Sequence, residues 1–265
     1  MNTFTRFFRD TKKYYAYSIR AGKAQLKSEI AGSYLSFLWW VLDPLLFMLV
    51  YTFVAVIVFG KGEQYFSAFI FVGYTSFKLF ERTLKTSVKL IARNKSVVKN
   101  VYVPKVILLF KELYVSLFQF AISFMLVFIT MAIYRVPLTW KVFYFIPLVI
   151  LLVLLSEGIG LFVMHIGVYV QDLANVINVL LRLLFYMSGV FYNLGTRLEG
   201  KEMLQFLLLK VNPIGYIIND MRLALLYNGD FHYKTYFVWL AIAIILFVLG
   251  VKLVYQNENN YVKVI

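Results

Sequence analysis

The sequence contains no cysteine, which removes disulfides, thiolate metal sites and cysteine nucleophiles together. Histidine is nearly as scarce: His165 and His232 are the two in 265 residues, too few for a histidine-based metal cluster. Charged residues make up only 15% of the chain. No glycine-rich turn ends in Gly-Lys-Ser/Thr, so there is no P-loop to cradle a nucleotide phosphate. No His-Glu-x-x-His helix occurs either. Ser188-Gly189 does not make a nucleophile elbow, because Tyr186 stands two residues before the serine, where glycine is needed. The acids are scattered and form no cluster near one interface. The expectation is a chain without catalytic residues, metal or cofactor of its own.

What is abundant is apolar surface. Hydrophobic residues account for 62% of the sequence and mean hydropathy is +0.76, more than a soluble interior of this size can hide. Lipid must solvate much of it. The formal net charge of +14 falls in two blocks beside apolar runs, the pattern of a cytoplasmic membrane face rather than of a nucleic-acid partner. Residues 3–27 read as an amphipathic helix. Phe4, Phe7, Phe8, Tyr14, Tyr15 and Ile19 supply an apolar stripe, and Arg6, Arg9, Lys12, Lys13, Arg20, Lys23 and Lys27 a basic side. Such a segment lies flat in the headgroup layer; the alternative is an ordinary basic tail. It lacks the short apolar core and small-residue cleavage site of a signal peptide.

The fold expected is an all-α integral membrane protein with about six transmembrane helices, an N-terminal interface helix and short outer re-entrant helices between spans 5 and 6. The spans run at about 35–59, 65–84, 106–134, 142–170, 176–192 and 236–255. Asp43-Pro44 predicts a kink or a re-start in the first. Lys78, Glu81 and Arg82 require the lower half of the second to face protein or water. Between Arg82 and Lys105 lie only basic charges, so this loop and the basic N-terminus belong inside. Residues 193–233 carry balanced charge and belong outside. Within them Asn212 caps a helix starting at Pro213, with Ile214, Ile217, Ile218, Met221 and Leu225 as its apolar stripe and Gly229 as its end. The single domain of 1–265 divides into an interface helix (1–34), a six-helix membrane part (35–255) and a cytoplasmic tail (256–265). Six spans without duplication suggest half of a pathway, completed by a homodimer.

Glu157, within Ser156-Glu157-Gly158-Ile159-Gly160, is the most conspicuous intramembrane acid. It either lines a conduit or carries protons, or it pairs with a cation on a neighbouring helix or sits nearer the interface than these span bounds place it. Asp43 divides between stabilising a kink and belonging to a site, and His165 reads as a packed interior residue. Aromatics reach 19%, and their faces can stack on sugars without holding them still, which suits a sliding polymer. Membrane cores and belts use the same residues.

Several runs occur in a telling order. They are LKSEIAGSYLSFLWWVLDP over 26–44, ARNKSVVKN over 92–100 with Val103-Pro104, and Val170-Gln171-Asp172-Leu173. Ser188-Gly189-Val190-Phe191-Tyr192, Asn212-Pro213 with Met221-Arg222, and Gly250 with Glu258 complete the series. Together, over nearly the whole length, the chain resembles the permease subunits of type-2 ABC exporters of bacterial surface polysaccharides such as O-antigen, capsule, teichoic acid and rhamnan. Gln171 departs from the family's arginine and Gly189 from its proline. The first leaves the second cytoplasmic contact less defined; the second makes the end of the fifth helix more flexible.

The resemblance implies a homodimer bound to two copies of an ABC ATPase, which hold the ATP and Mg. It implies ATPase coupling through Arg93, Asn94, Lys95, Val98 and Lys99, with a smaller contact at Gln171, Asp172 and Asn175. Lys23, Lys27, Tyr34, Trp39 and Trp40 would gate the headgroup of an undecaprenyl-diphosphate-linked glycan. Asp43, Glu157, Tyr186 and Tyr192 are the conduit candidates, and 194–230 the outer gate. The location implied is the bacterial cytoplasmic membrane, multi-pass, with both termini inside. A same-fold alternative is an exporter of a drug or small lipid.

Overall fold

A computed structural model of the chain describes residues 3–31, 36–58, 60 and 62–264. Among these residues the regular structure is all helical, without a strand. Four helical stretches are long and apolar enough to cross a bilayer: Phe37–Val58, Lys105–Ile133, Trp140–Tyr169 and Tyr233–Val264.

Helix α1 (Thr3–Ala31) runs past the expected end at 27 and docks along α6 (Lys105–Ile133) instead of lying in lipid alone. Its buried strip is Asp10, Ser18, Gly22 and Leu26. Phe7 turns inward, edge-on to Phe110 and Phe247. Phe8 and Tyr15, from the stripe read in the sequence, are 70% and 63% exposed. The helix therefore has two strips, a mixed polar and apolar one packed on protein and an aromatic one left exposed.

Helix α2 (Ser36–Thr52) passes through Pro44 without a re-start and closes in a π-helical turn, Phe53–Val58. Proline leaves the carbonyl four residues back without its donor. Here that carbonyl, on Trp40, accepts the Ser123 hydroxyl of α6 at 3.0 Å, so the helix continues. Helix α3 (Phe66–Val88) is the central helix of the chain, in contact with α2, α6 and further helices on its other sides. Hydropathy alone does not distinguish a span that faces lipid from one buried in protein.

The inside loop folds as two short helices, α4 (Leu90–Arg93) and α5 (Lys95–Asn100), hinged at Asn94. A 3₁₀ turn, Trp140–Tyr144, leads into α7 (Phe145–Tyr169). Helix α8 (Leu173–Met187) is shorter than the expected fifth span. It stops because Gly189 turns left-handed, at φ 63°, which leaves Tyr192 in the following turn. Short helices α9 (Leu194–Arg197) and α10 (Glu202–Phe206) precede α11 (Pro213–Leu225).

Asn212 caps α11 as expected: its Oδ1 accepts the N–H groups of Ile214 at 3.1 Å and Gly215 at 3.3 Å. The five stripe residues are all buried. The helix ends four residues before Gly229; Asn228 takes the left-handed turn and Gly229 N–H closes on the Leu223 carbonyl at 2.9 Å. Helix α12 (Tyr233–Val264) continues beyond 255. Residues 256–264 are thus not a separate tail, because Glu258 and Tyr261 are buried in the bundle.

One end of the molecule gathers the start of α1, α4, α5, the α7–α8 turn and the end of α12. Arg6 binds both Tyr102 and Glu258 there. The opposite end joins the α6–α7 loop to the turn after α11, through Thr139 to Asn228 at 2.8 Å and Lys141 to Asp230 at 2.8 Å.

Candidate functional site

Residues 74, 78 and 82 recur every fourth position, so Tyr74, Lys78 and Arg82 share one face of α3. Ser116, Gln119 and Ser123, spaced three and four apart, share one face of α6. Where these faces meet α2 they form a cavity of about 290 Å³, with Trp39, Trp40 and Asp43 of α2 also in its lining. Trp39 is half exposed, as an interfacial aromatic is.

The charges in this cavity are held loosely. Lys78 lies 3.5 Å from Asp43 and 3.7 Å from Glu81. Asp43 also accepts the Tyr74 hydroxyl at 2.7 Å. Arg82 lies 3.5 Å from Glu29, near the end of α1, and its Nε is buried without a partner among the described residues. Glu29 accepts Gln119 at 2.9 Å and Gln25 at 3.2 Å. Gln25 also donates to Glu112 at 3.1 Å; Glu112 pairs with Lys111 at 3.0 Å, and Lys111 reaches Asn94 Oδ1 at 3.4 Å. A polar chain therefore runs from the cavity, through the end of α1, to the α4–α5 hinge.

From the cavity a ladder of rings runs toward the opposite end. Tyr74 stacks on Phe47 at 4.0 Å, Phe47 meets Tyr51 at 4.3 Å, and Tyr51 stacks on Phe191 at 4.8 Å. Phe191 touches Tyr186 and Tyr192, two of the expected conduit residues.

At the basic end, Arg93 and Gln171 line one hollow of about 480 Å³, so the α4–α5 segment and the α7–α8 turn share a face. Arg93, Lys95, Lys99, Gln171, Asp172 and Asn175 are exposed there, and Asn94 is half-buried. Val98 is not available to a partner: it is buried among Val103, Val106 and Tyr261. On so short a helix, the side carrying Val98 has to close the core beneath it. Behind this face, burial and then the Glu258 carboxylate push the Tyr102 hydroxyl above its ordinary range.

Other expected residues lie elsewhere. Lys23 and Lys27 are exposed on α1 and do not line the cavity; its cations are Lys78 and Arg82. Tyr34 lies outside the described residues. Asp43 is in the cavity wall. Glu157 is 2% exposed inside the bundle, which takes it off any conduit surface of the chain. Its carboxylate oxygens have no hydrogen-bond partner among the described residues, so a pairing cation is absent there too. His165 Nδ1 bonds the Tyr261 hydroxyl at 2.7 Å, as a packed residue does. The Glu29–Arg82 contact escaped sequence reading, since the two residues are 53 apart and nothing local links them. The four-residue spacing on α3 was the available signal.

A second arginine organises the opposite end. Arg222 donates to the carbonyls of Phe69 at 3.2 Å, Gly189 at 2.8 Å and Val190 at 2.6 Å, and lies 3.4 Å over the Phe69 ring. Asn212 Nδ2 binds Ser188 Oγ at 3.1 Å beside it. The Ser-Gly-Val, Asn-Pro and Met-Arg runs noted in the sequence are thus one structural knot.

Residues 21–226 match the protein family described as ABC-2 type transporter. Among curated proteins, the chain is 27% identical over 209 residues to an O-antigen export system permease protein RfbA of Myxococcus xanthus, covering 79% of this chain and 80% of that one. It is 20% identical over 241 residues to a protein of the same name from Klebsiella pneumoniae, covering 91% of each.

Proposed function

Because this chain belongs to the ABC-2 type transporter family, we propose that it is the membrane-spanning subunit of an ATP-driven exporter of a cell-surface polysaccharide. The observation that carries this reading is the pair of short segments, α4–α5 and the 171–175 turn, that share one exposed face in a chain without a P-loop. Such a face is where a separate nucleotide-hydrolysing subunit can push. The polysaccharide cargo is supported by relatives named as O-antigen export permeases that align over four-fifths of their length or more.

In this reading the chain crosses the cytoplasmic membrane six times and forms one domain, with both termini and the coupling face inside. Helix α3 makes its crossing despite its charges because they face the cavity and α1, not lipid. Helix α8 alone covers about 22 Å at about 1.5 Å per residue, and the turn at 188–193 completes the distance. Helices α9 to α11 dip into the outer leaflet as a gate. Two copies of the chain, with two ATPase subunits, complete the pathway.

Each part of the chain then has a task. Arg93, Lys95, Lys99, Gln171, Asp172 and Asn175 contact the ATPase, and Asn94 is the hinge. Lys23 and Lys27 gather anionic headgroups at the surface, and Trp39 and Trp40 mark the way into the cavity. Lys78 and Arg82 hold the diphosphate of a lipid-linked glycan. The ring ladder from Tyr74 to Tyr192 gives sugars stacking faces with few strong bonds, so a polymer slides rather than sticks.

Affinity purification of the tagged chain from its native membrane is the test. An ABC ATPase is expected to travel with it, and depletion of the chain should strand lipid-linked glycan on the inner leaflet. Intact surface glycans after depletion, with ATP hydrolysis stimulated by small amphiphiles instead, would overturn the polysaccharide reading in favour of drug or small-lipid export.

A further inference from the structure

We propose that Glu29 is a latch: in the unloaded protein its carboxylate stands in for a diphosphate at Arg82, and arrival of that diphosphate unseats the last turns of α1. The source of the diphosphate, a lipid headgroup, rests on the exporter reading above; the latch itself rests on the geometry.

Arg82 is under-used. A guanidinium forms its strongest contacts as two parallel bonds to one carboxylate or phosphate. Here it has one carboxylate at 3.5 Å and a buried Nε with no partner among the described residues. Lys78 on the same face is held no closer than 3.5 Å. Two cations one helical turn apart, each with a distant carboxylate and each facing a cavity of about 290 Å³, make an anion site filled by substitutes. At about 30 Å³ per water in the liquid, that space accommodates a diphosphate. The incoming anion repels Glu29 and Asp43 and competes for their cations. Asp43 keeps the Tyr74 hydroxyl at 2.7 Å, whereas Glu29 is left with two neutral amides.

The release has a route onward. Gln25 binds both Glu29 and Glu112, and Glu112 pairs with Lys111, which reaches Asn94 at the α4–α5 hinge. Unseating α1 therefore frees Glu112 and Lys111 to reposition the segment that meets the ATPase. The latch makes hydrolysis answer to cargo.

The cysteine-free chain permits a direct test in the full complex with its ATPase in lipid nanodiscs. Leu26→Cys places a single thiol under the seated α1, at a buried position. Farnesyl diphosphate is expected to speed thiol labelling and ATP hydrolysis together. Glu29→Gln in that background should speed labelling without any diphosphate, by up to about fivefold, the effect of removing an ion pair of this exposure. Arg82→Gln should remove the response to farnesyl diphosphate. Ser18→Cys, two turns nearer the N-terminus, should label at a constant slow rate. Hydrogen exchange over residues 22–31 reads the same release in the unmodified sequence.

Faster hydrolysis with unchanged labelling and unchanged exchange overturns the latch while leaving the exporter reading intact. So does a Glu29→Gln protein that labels no faster than its parent. Inorganic pyrophosphate acting as well as farnesyl diphosphate upholds the latch and counts instead against a lipid-linked cargo.

Discussion

Two arginines, one near each end of the bundle, are built in opposite ways. Arg222 is sealed in protein and gives its N–H groups to three backbone carbonyls while resting on the Phe69 ring. No carboxylate approaches it among the described residues. Arg82 faces a cavity, with one distant carboxylate and one unused N–H. The first arrangement supplies donors to carbonyls that the turn after α8 leaves free, and it fixes α3, α8 and α11 to one another. The second leaves a buried N–H unspent on a residue that lines a cavity. A charge whose partners are all backbone atoms makes structure; a charge whose partner is an exchangeable carboxylate next to a void is available to a ligand.

The sharpest way to break this contrast is to remove the sealed arginine. Arg222→Met leaves the buried Gly189 and Val190 carbonyls without donors, at about 1 kcal/mol or more each, and takes a second donor from the helical Phe69 carbonyl, so a loss of about 2–3 kcal/mol is expected. It reads out as a lower thermal midpoint of the purified protein and as protease cleavage near 189–200. An unchanged midpoint would mean that water replaces the guanidinium and that the knot holds nothing. Gly73→Ala attacks the same knot from α3. Its new methyl would lie 2.3 Å from Arg222 Nη2 and 2.6 Å from the Val190 carbonyl. Overpacking of this kind costs about 1–3 kcal/mol, and a midpoint equal to the parent's would show that the outer turn can yield.

The equivalent change at the other end should hardly disturb folding. Arg82→Met removes a partly exposed pair at 3.5 Å, worth about 1 kcal/mol or less. Its midpoint should stay near the parent's while stimulation of the complex by farnesyl diphosphate is lost. A collapse as large as that of Arg222→Met would place both arginines in the same class and erase the distinction.

How much of this was legible in the sequence follows from how local each signal is. The start of α11 was readable because Asn212, Pro213 and the apolar stripe act within one helix. That the 93–100 segment and the 171–175 turn lie at one end was readable from the charge pattern and the order of the apolar runs. Val98 was not, since which side of a two-turn helix faces the core depends on Val103 and Tyr261 lying beneath it. The passage of α2 through Pro44 depended on Ser123 of another helix. The central position of α3 was hidden because lipid and protein both accept apolar side chains. Glu157 illustrates the limit most clearly: its rarity in a span drew attention, yet burial places it inside the bundle rather than on a conduit wall.

The smallest expected effect lies at the exposed rim of the Arg222 end. Lys141 hydrogen-bonds Asp230 at 2.8 Å and holds its carboxyl below the ordinary value of 3.8. A carboxyl whose folded value is depressed adds stability that is fully present above its unfolded value and disappears as pH falls through the folded one. Asp230→Asn should therefore lower the midpoint slightly at neutral pH, and the gap from the parent should shrink only as pH drops below the ordinary carboxylate range. Asp230 is fully exposed, so screening keeps the gap small, and added salt should narrow it further. A gap that survives high salt would mean that the link from Lys141 to the α11–α12 turn is mechanical. It would then belong with the sealed knot rather than with the exchangeable pairs at the other end.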